Sequence, residues 1–273
     1  MMRALYVRKH TLVLMSSLVL LLMVGCGGGS DSDSGGSSGQ ASTAKEAPAS
    51  DAAAVDMATA ATITGSVAFE GTAPQMDIID VSSEATCHGH NEANPITTET
   101  VVVNDNNTLR YVFVYVKSGL GDAEFPTPTT PVVLDQSGCR YEPHVFGIMA
   151  KQPLLIKNSD EGVLHNIHSF SKSGNSFNFG MPKVMESTKK FKKPETMVRI
   201  KCDVHGWMAS YAGVLDHPFY AVSGADGSFE LPPLPPGEYT IEAWHEEYGV
   251  QTQTVTVSEK EAKEIAFTYS SGS

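Results

Sequence analysis

The chain has 273 residues, 41% hydrophobic and 18% charged, with 31 acidic against 19 basic side chains and a formal charge of −12 at pH 7. That balance argues against a nucleic-acid partner, which a basic footprint would mark. With four cysteines in so long a chain, each one has to be given its own task.

Arg3, Arg8 and Lys9 precede the apolar run "TLVLMSSLVLLLMVG", and Cys26 follows it. Residues 1–25 read as an export signal, since an apolar run of about 14 residues falls short of the roughly 20 that span a bilayer as a helix. "LMVGC" resembles the lipobox of bacterial lipoproteins, departing from it in Met23 where leucine is commonest. The resemblance implies cleavage before Cys26 and lipidation there; the alternative is a plain secretory signal cut nearby. Several acyl chains on Cys26 would anchor stably, each buried methylene contributing about 0.8 kcal/mol. The protein is then exported and held at a membrane, on a periplasmic or cell-surface face. Loss of the leader's three basic residues takes the charge to −15. Residues 26–61 are Gly, Ser, Ala, Asp and Thr with few large apolar side chains, a tether that cannot offset its ordering entropy.

From residue 62 the pattern is short strand-like runs between turn residues. "TITGSVAFEG" gives a first strand within residues 62–75, and "TTETVVVNDNNTLRYVFVYVKSG" reads as a hairpin around an Asn/Asp turn. "LRYVFVYV" is apolar on both faces, which predicts a strand buried between layers. The runs "TPVVLDQSGCRYEPHVFGIM", "QPLLIKNSD", "GVLHNIHSF", "TMVRIKCD" and "YAGVLDH" follow at the spacing of a β-sandwich. Residues 183–201 are basic, with Lys183, Lys189, Lys190, Lys192, Lys193, Arg199 and Lys201 against Glu186 and Glu195. They read as a solvated loop or as a docking surface for an acidic partner. Cys87 and Cys139 are paired in an oxidising compartment, unless "CHGH", with His88 and His90, is a second metal or redox site.

In "TMVRIKC" the side chains of Val198, Ile200 and Cys202 share one face, so Cys202 ends its strand pointing inward. The turn that follows brings His205 and Met208 back to the same rim, and "IKNSDEGVLHNIH" supplies His165 at a strand start, with His168 on the opposite face. A thiolate with two imidazoles and a weak axial methionine is the ligand set that selects copper for electron transfer. "NSDEGVLHNIH" and "CDVHGWM" together resemble the cupredoxin, or type 1 blue copper, family over residues 98–215, with the short copper loop closest to amicyanin's. The resemblance implies one copper held by His165, Cys202, His205 and Met208. Asn166, His144 and Trp207 are candidates for the surrounding shell, Trp207 at the surface edge of the site. Zinc fits less well, because a thioether is a poor zinc ligand. The alternatives are a copper store, delivery protein or sensor, or a packed core without metal.

"DGSFELPPLPPGEYTIEAWHEEYGVQTQTVTV" resembles the carboxypeptidase regulatory-like domain, a small transthyretin-like sandwich, over residues 218–269, and "TITGSVAFEGTAP" is similar to that domain's first strand. The copper domain would then be inserted in that sandwich or share a sheet with it. Asp216, His217, Pro218 and Phe219 would form the junction. "WHEE" lacks the second histidine of a zinc-protease helix, and no phosphate loop or nucleophile elbow is present. The expectation is an all-β, exported carrier rather than an enzyme. Its cupredoxin-like Greek-key sandwich spans residues 76–215, the regulatory-like sandwich residues 216–269, and a short tail residues 270–273. Through copper it would exchange single electrons with redox protein partners.

Overall fold

The computed structural model describes residues 55–272. The expected signal over residues 1–25, the lipidated Cys26 and most of the tether lie outside them. Sixteen strands and one short helix are present among the described residues. In chain order they are β1 (Ala61–Glu70), α1 (Ala85–Asn91), β2 (Phe113–Ser118), β3 (Val132–Ser137), β4 (Arg140–Glu142), β5 (Val145–Met149), β6 (Leu154–Asn158), β7 (His165–Phe170) and β8 (Phe177–Met181). Then come β9 (Met185–Lys189), β10 (Glu195–Lys201), β11 (Ala209–Leu215), β12 (Tyr220–Val222), β13 (Ser228–Leu234), β14 (Gly237–His245), β15 (Gly249–Val257) and β16 (Ala262–Ser270).

The strands form four sheets, ordered β13-β1-β16, β12-β2-β14-β15, β5-β11-β10-β7-β8 and β4-β3-β6-β9. The first two close over a core that includes Ile63, Leu109, Val114, Phe219, Ile241 and Phe267. The last two close over a second core around Leu134, Ile156, Ile167, Ile200, Cys202 and Val214. The architecture is thus all-β, two sandwiches, as the strand pattern implies. The second is inserted in the first between β2 and β12, which pair with each other, so the chain leaves and returns at neighbouring points.

Strand β2 explains how the sandwiches meet. Side chains alternate across a strand: Val114 and Val116 enter the first core, while Phe113 and Tyr115 face a separate cluster with Val145 and Leu215 of the second sandwich. The strand is buried between layers, as its two apolar faces predict. Its hydrogen bonds, however, run to β12 and β14, so it belongs to the regulatory-like sandwich and not to the copper domain expected from residue 76. The contact is close because Gly213 and Gly147 carry no side chain. A Cβ on Gly213 would stand 2.2 Å from Phe113 Cζ, and one on Gly147 2.2 Å from the Tyr220 ring.

Three further expectations change. The tether ends before residue 61: Thr59 and Ala60 donate to the Asp56 carbonyl in a turn, Val55 packs on the first core, and β1 starts at Ala61. The expected hairpin near residue 104 is reduced to one bridge, Val103 with Leu109, around a turn in which Asn107 N–H bonds the Asn104 carbonyl at 3.0 Å. The basic stretch at 183–201 is only partly loop: Lys189, Arg199 and Lys201 lie on β9 and β10, while Lys183, Lys190, Lys192 and Lys193 lie in the connections before and between them. Cys87 and Cys139 form a disulfide, and among the described residues neither His88 nor His90 joins a group of three metal donors.

Candidate metal centre

Loops at one end of the second sandwich carry the candidate ligands. Strand β6 ends at Asn158 and β7 begins with His165; β10 ends at Lys201 and β11 begins at Ala209. Between the latter, Cys202 N–H bonds the Met208 carbonyl at 3.3 Å and Met208 N–H bonds the His205 carbonyl at 3.0 Å. The loop is therefore closed tightly enough to return His205 toward the cysteine. Val198, Ile200 and Cys202 are all buried, as strand parity requires.

His165, Cys202 and His205 present donor atoms within 4.8 Å of one another, all three residues buried. His165 Nδ1 and His205 Nδ1 are 2.9 Å apart, and Cys202 Sγ lies 3.9 Å from His205 Nδ1. Such separations suit a shared ion with bonds of about 2.0–2.3 Å. The sulfur is further held by two backbone donors, Asn166 N–H at 3.4 Å and His205 N–H at 3.3 Å. Burial alone would push the Cys202 thiol up, but the His165 ring and these N–H groups outweigh it and bring it below its ordinary value. A stabilised thiolate is the form that binds metal. Met208 is buried in the same core cluster as Cys202, at the closing position of the loop.

Asp160 was not legible as a site residue, although "NSDEGVLH" places it five residues before His165. It is 2% exposed. Its Oδ2 accepts from His165 Nε2 at 2.8 Å and from Cys139 N–H at 2.8 Å, and its Oδ1 accepts from Gly138 N–H at 2.7 Å. Burial opposes ionisation of both Asp160 and His165. Their mutual hydrogen bond, with the added donors on the carboxylate and Cys202 beside the ring, overcomes it: Asp160 sits below its ordinary range and His165 above. Nothing comparable supports His205. Burial and the neighbouring His165 hold its ring down, and its Nε2 is buried with no hydrogen-bond partner.

Residues 77–98 cover this end of the sandwich. Ile79 N–H bonds the Ile96 carbonyl at 2.9 Å, and Ile79, Val81, Ile96 and Cys87 pack with Cys139, Val163 and Trp207. The Cys87–Cys139 disulfide fastens this cap, and Asn91 Nδ2 adds bonds to the Cys87 and Gly138 carbonyls at 2.8 and 3.2 Å. Trp207 is half-buried beneath it, donating from Nε1 to the Cys139 carbonyl at 3.0 Å, with its ring 5.0 Å from that of His205.

The remaining candidates lie further out. Asn166 reaches Cys202 through its backbone, while its side chain bonds Asn178 and the Asp203 N–H. His144 is no ligand: it bonds the Ala209 carbonyl at 3.2 Å and Glu246, and packs against Tyr111 and Tyr211 where the sandwiches meet. His217 is buried with its ring 5.8 Å from Phe219. His168 pairs with the exposed Asp203 at 3.1 Å.

Most of the lysines do not border the site. Strand register pairs Lys189 with Leu154, at the opposite end of β6 from Asn158, so Lys189, Lys190, Lys192 and Lys193 lie at the far pole of the sandwich. Lys183, just beyond Met181 opposite His165, and Lys201, next to Cys202, are the members near the ligands.

No curated protein matches the chain. Among solved structures, a copper-containing nitrite reductase from Thermus scotoductus SA-01 is 18% identical at a TM-score of 0.31, covering 35% of this chain; the chain spans only 24% of the reductase. A purple cupredoxin from Nitrosopumilus maritimus is 19% identical at a TM-score of 0.26, covering 30% of this chain and 98% of its own. An oxidized point mutant of amicyanin is 18% identical at a TM-score of 0.28, covering 37% of this chain and 97% of its own. The family model of the carboxypeptidase regulatory-like domain matches residues 214–270, the stretch that holds β12 to β16.

Proposed function

We propose that the protein is an exported copper-binding carrier that exchanges single electrons with redox protein partners, tethered to a membrane through Cys26. The observation that carries this reading is the buried convergence of Cys202 Sγ with the Nδ1 atoms of His165 and His205. The donor set fits copper: a thiolate and two imidazoles with a methionine in reserve favour that ion over hard cations. Met208 supplies the weak fourth donor on this reading. Bound there, copper supplies one-electron chemistry between Cu(I) and Cu(II).

The chain's own part is to hold the donors still. His165 is fixed by β7 and Asp160, Cys202 by β10 and two N–H bonds, and His205 by the closed loop and the Trp207 ring. Donors held by such contacts move little when the charge of the site changes, which keeps the cost of each electron small. The burial of His205, 2% exposed, favours a second reading, in which the same ion is retained as a store.

Purified protein loaded with Cu(II) tests the proposal. An intense visible thiolate-to-copper band, retained after desalting and abolished by Cys202→Ser, is the expected result. Colourless protein that keeps no copper overturns it. A coloured protein whose copper resists reduction and reoxidation by small redox couples fits the store.

A further inference from the structure

We infer that Asp160 is the positioning residue of the site, fixing His165 as an Nδ1 donor and supplying, beside Cys202, a buried negative charge that balances an oxidised ion.

The tautomer half of the claim follows from the hydrogen bonds alone. An ionised carboxylate is acceptor-only, and Asp160 Oδ2 stands 2.8 Å from His165 Nε2, so the ring proton belongs on Nε2. That leaves the Nδ1 lone pair aimed at Cys202 and His205. Gly138 N–H and Cys139 N–H hold the carboxylate in place at 2.7 and 2.8 Å, and the turn that presents them is tied to the cap by the disulfide. His205 has no such partner on Nε2, so the two imidazoles are unequal: one is set before any ion arrives, the other is not.

The charge half rests on the copper reading. Cu(II) carries one more positive charge than Cu(I), and a carboxylate one imidazole away in a buried site stabilises the oxidised form more. Coulomb attraction at that range in a partly dry interior amounts to about tenfold or more in the preference for Cu(II). Asp160→Asn keeps an acceptor oxygen for His165 and removes the charge. Its new amide faces the Gly138 N–H, so one backbone bond is lost as well.

The test has two arms. In the metal-free wild-type protein, at a pH where the ring is neutral, 15N shifts of His165 should show the proton on Nε2 alone. An Nδ1–H ring or a mixture of tautomers overturns the claim, whether or not copper binds and whether or not any variant folds. In copper-loaded protein, Asp160→Asn should raise the reduction potential by at least the equivalent of tenfold, about 59 mV for one electron. Glu161→Gln, removing an exposed carboxylate next in sequence, should move it far less. A merely structural role would lower stability and leave the potential unmoved. Copper bound with an unchanged potential in Asp160→Asn sinks the charge assignment and spares the carrier reading; wild type that takes no copper sinks the carrier reading while the tautomer measurement still judges Asp160.

Discussion

Removing the disulfide separates what the crosslink does from what the cap's packing does. The substitutions are Cys87→Ala with Cys139→Ala, both sites being fully buried, so that no polar group replaces the sulfurs. The cysteines are 52 residues apart. Closing a loop of that length restricts the unfolded chain by about 4 kcal/mol in the chain-entropy model, and two lost sulfurs in a packed cluster add about 1 kcal/mol. Against the roughly 5–15 kcal/mol that stabilises a typical domain, the loss is large. The bonds from Asp160 to Cys139 N–H and from Trp207 to the Cys139 carbonyl are made by backbone and survive the change. Urea unfolding should therefore show a lower midpoint together with a steeper slope, because the released chain exposes more surface when it unfolds. A stability loss below about 1 kcal/mol, at unchanged slope, would refute the assignment of this bond as the main restraint on residues 87–139.

Two other perturbations test how the second sandwich is held. Gly213→Ala pushes a methyl into the Phe113 ring, and overpacking of this kind costs about 1–3 kcal/mol; thermal unfolding at or above the wild-type temperature would show that the sheets separate freely at this contact. Glu195 accepts from Lys172 N–H at 2.7 Å and Ser173 N–H at 3.1 Å, and from the hydroxyls of Ser171 and Ser173. Burial works against its ionisation, yet these donors hold it down at about 2. A depressed carboxyl stabilises the fold above its ordinary value, near 4.5, and that contribution is lost as pH falls toward 2. Glu195→Gln should thus cost about 1 kcal/mol at neutral pH, discounted for solvent exposure, and almost nothing near pH 2. A penalty independent of pH would contradict this.

Strand character was legible wherever one face was apolar, and partner choice was not. "LRYVFVYV" declares a strand covered on both sides, but β2 pairs with β14 more than a hundred residues away, and no local signal carries such pairing. Strand β9 was missed because "MESTK" has no large apolar face; it is an edge strand, and edges are kept polar. Helix α1, only seven residues long and without a side-chain N-cap bond, is held by the disulfide and Asn91 rather than by any periodicity. The ligand motifs were visible because each lies at a strand end with fixed parity. Asp160 was hidden because its role depends on the turn at Gly138, on a different hairpin.

The same separation between sequence and space decides where the unit holding the candidate metal centre ends. Residues 132–215 contain His165, Cys202, His205 and Met208 and would pass, read alone, for a complete unit. Yet the cap over His205 comes from residues 77–98, between two strands of the other sandwich, and the seal on the outer face of β5 and β11 comes from Phe113 and Tyr220. Both include apolar contacts stabilised by water exclusion, and the disulfide and Asn91 add direct bonds to the first. The segment between β1 and β2 is therefore part of the enclosure of the site: it packs on Trp207, whose ring lies 5.0 Å from that of His205, and a shell of this kind shapes the dielectric around buried polar groups.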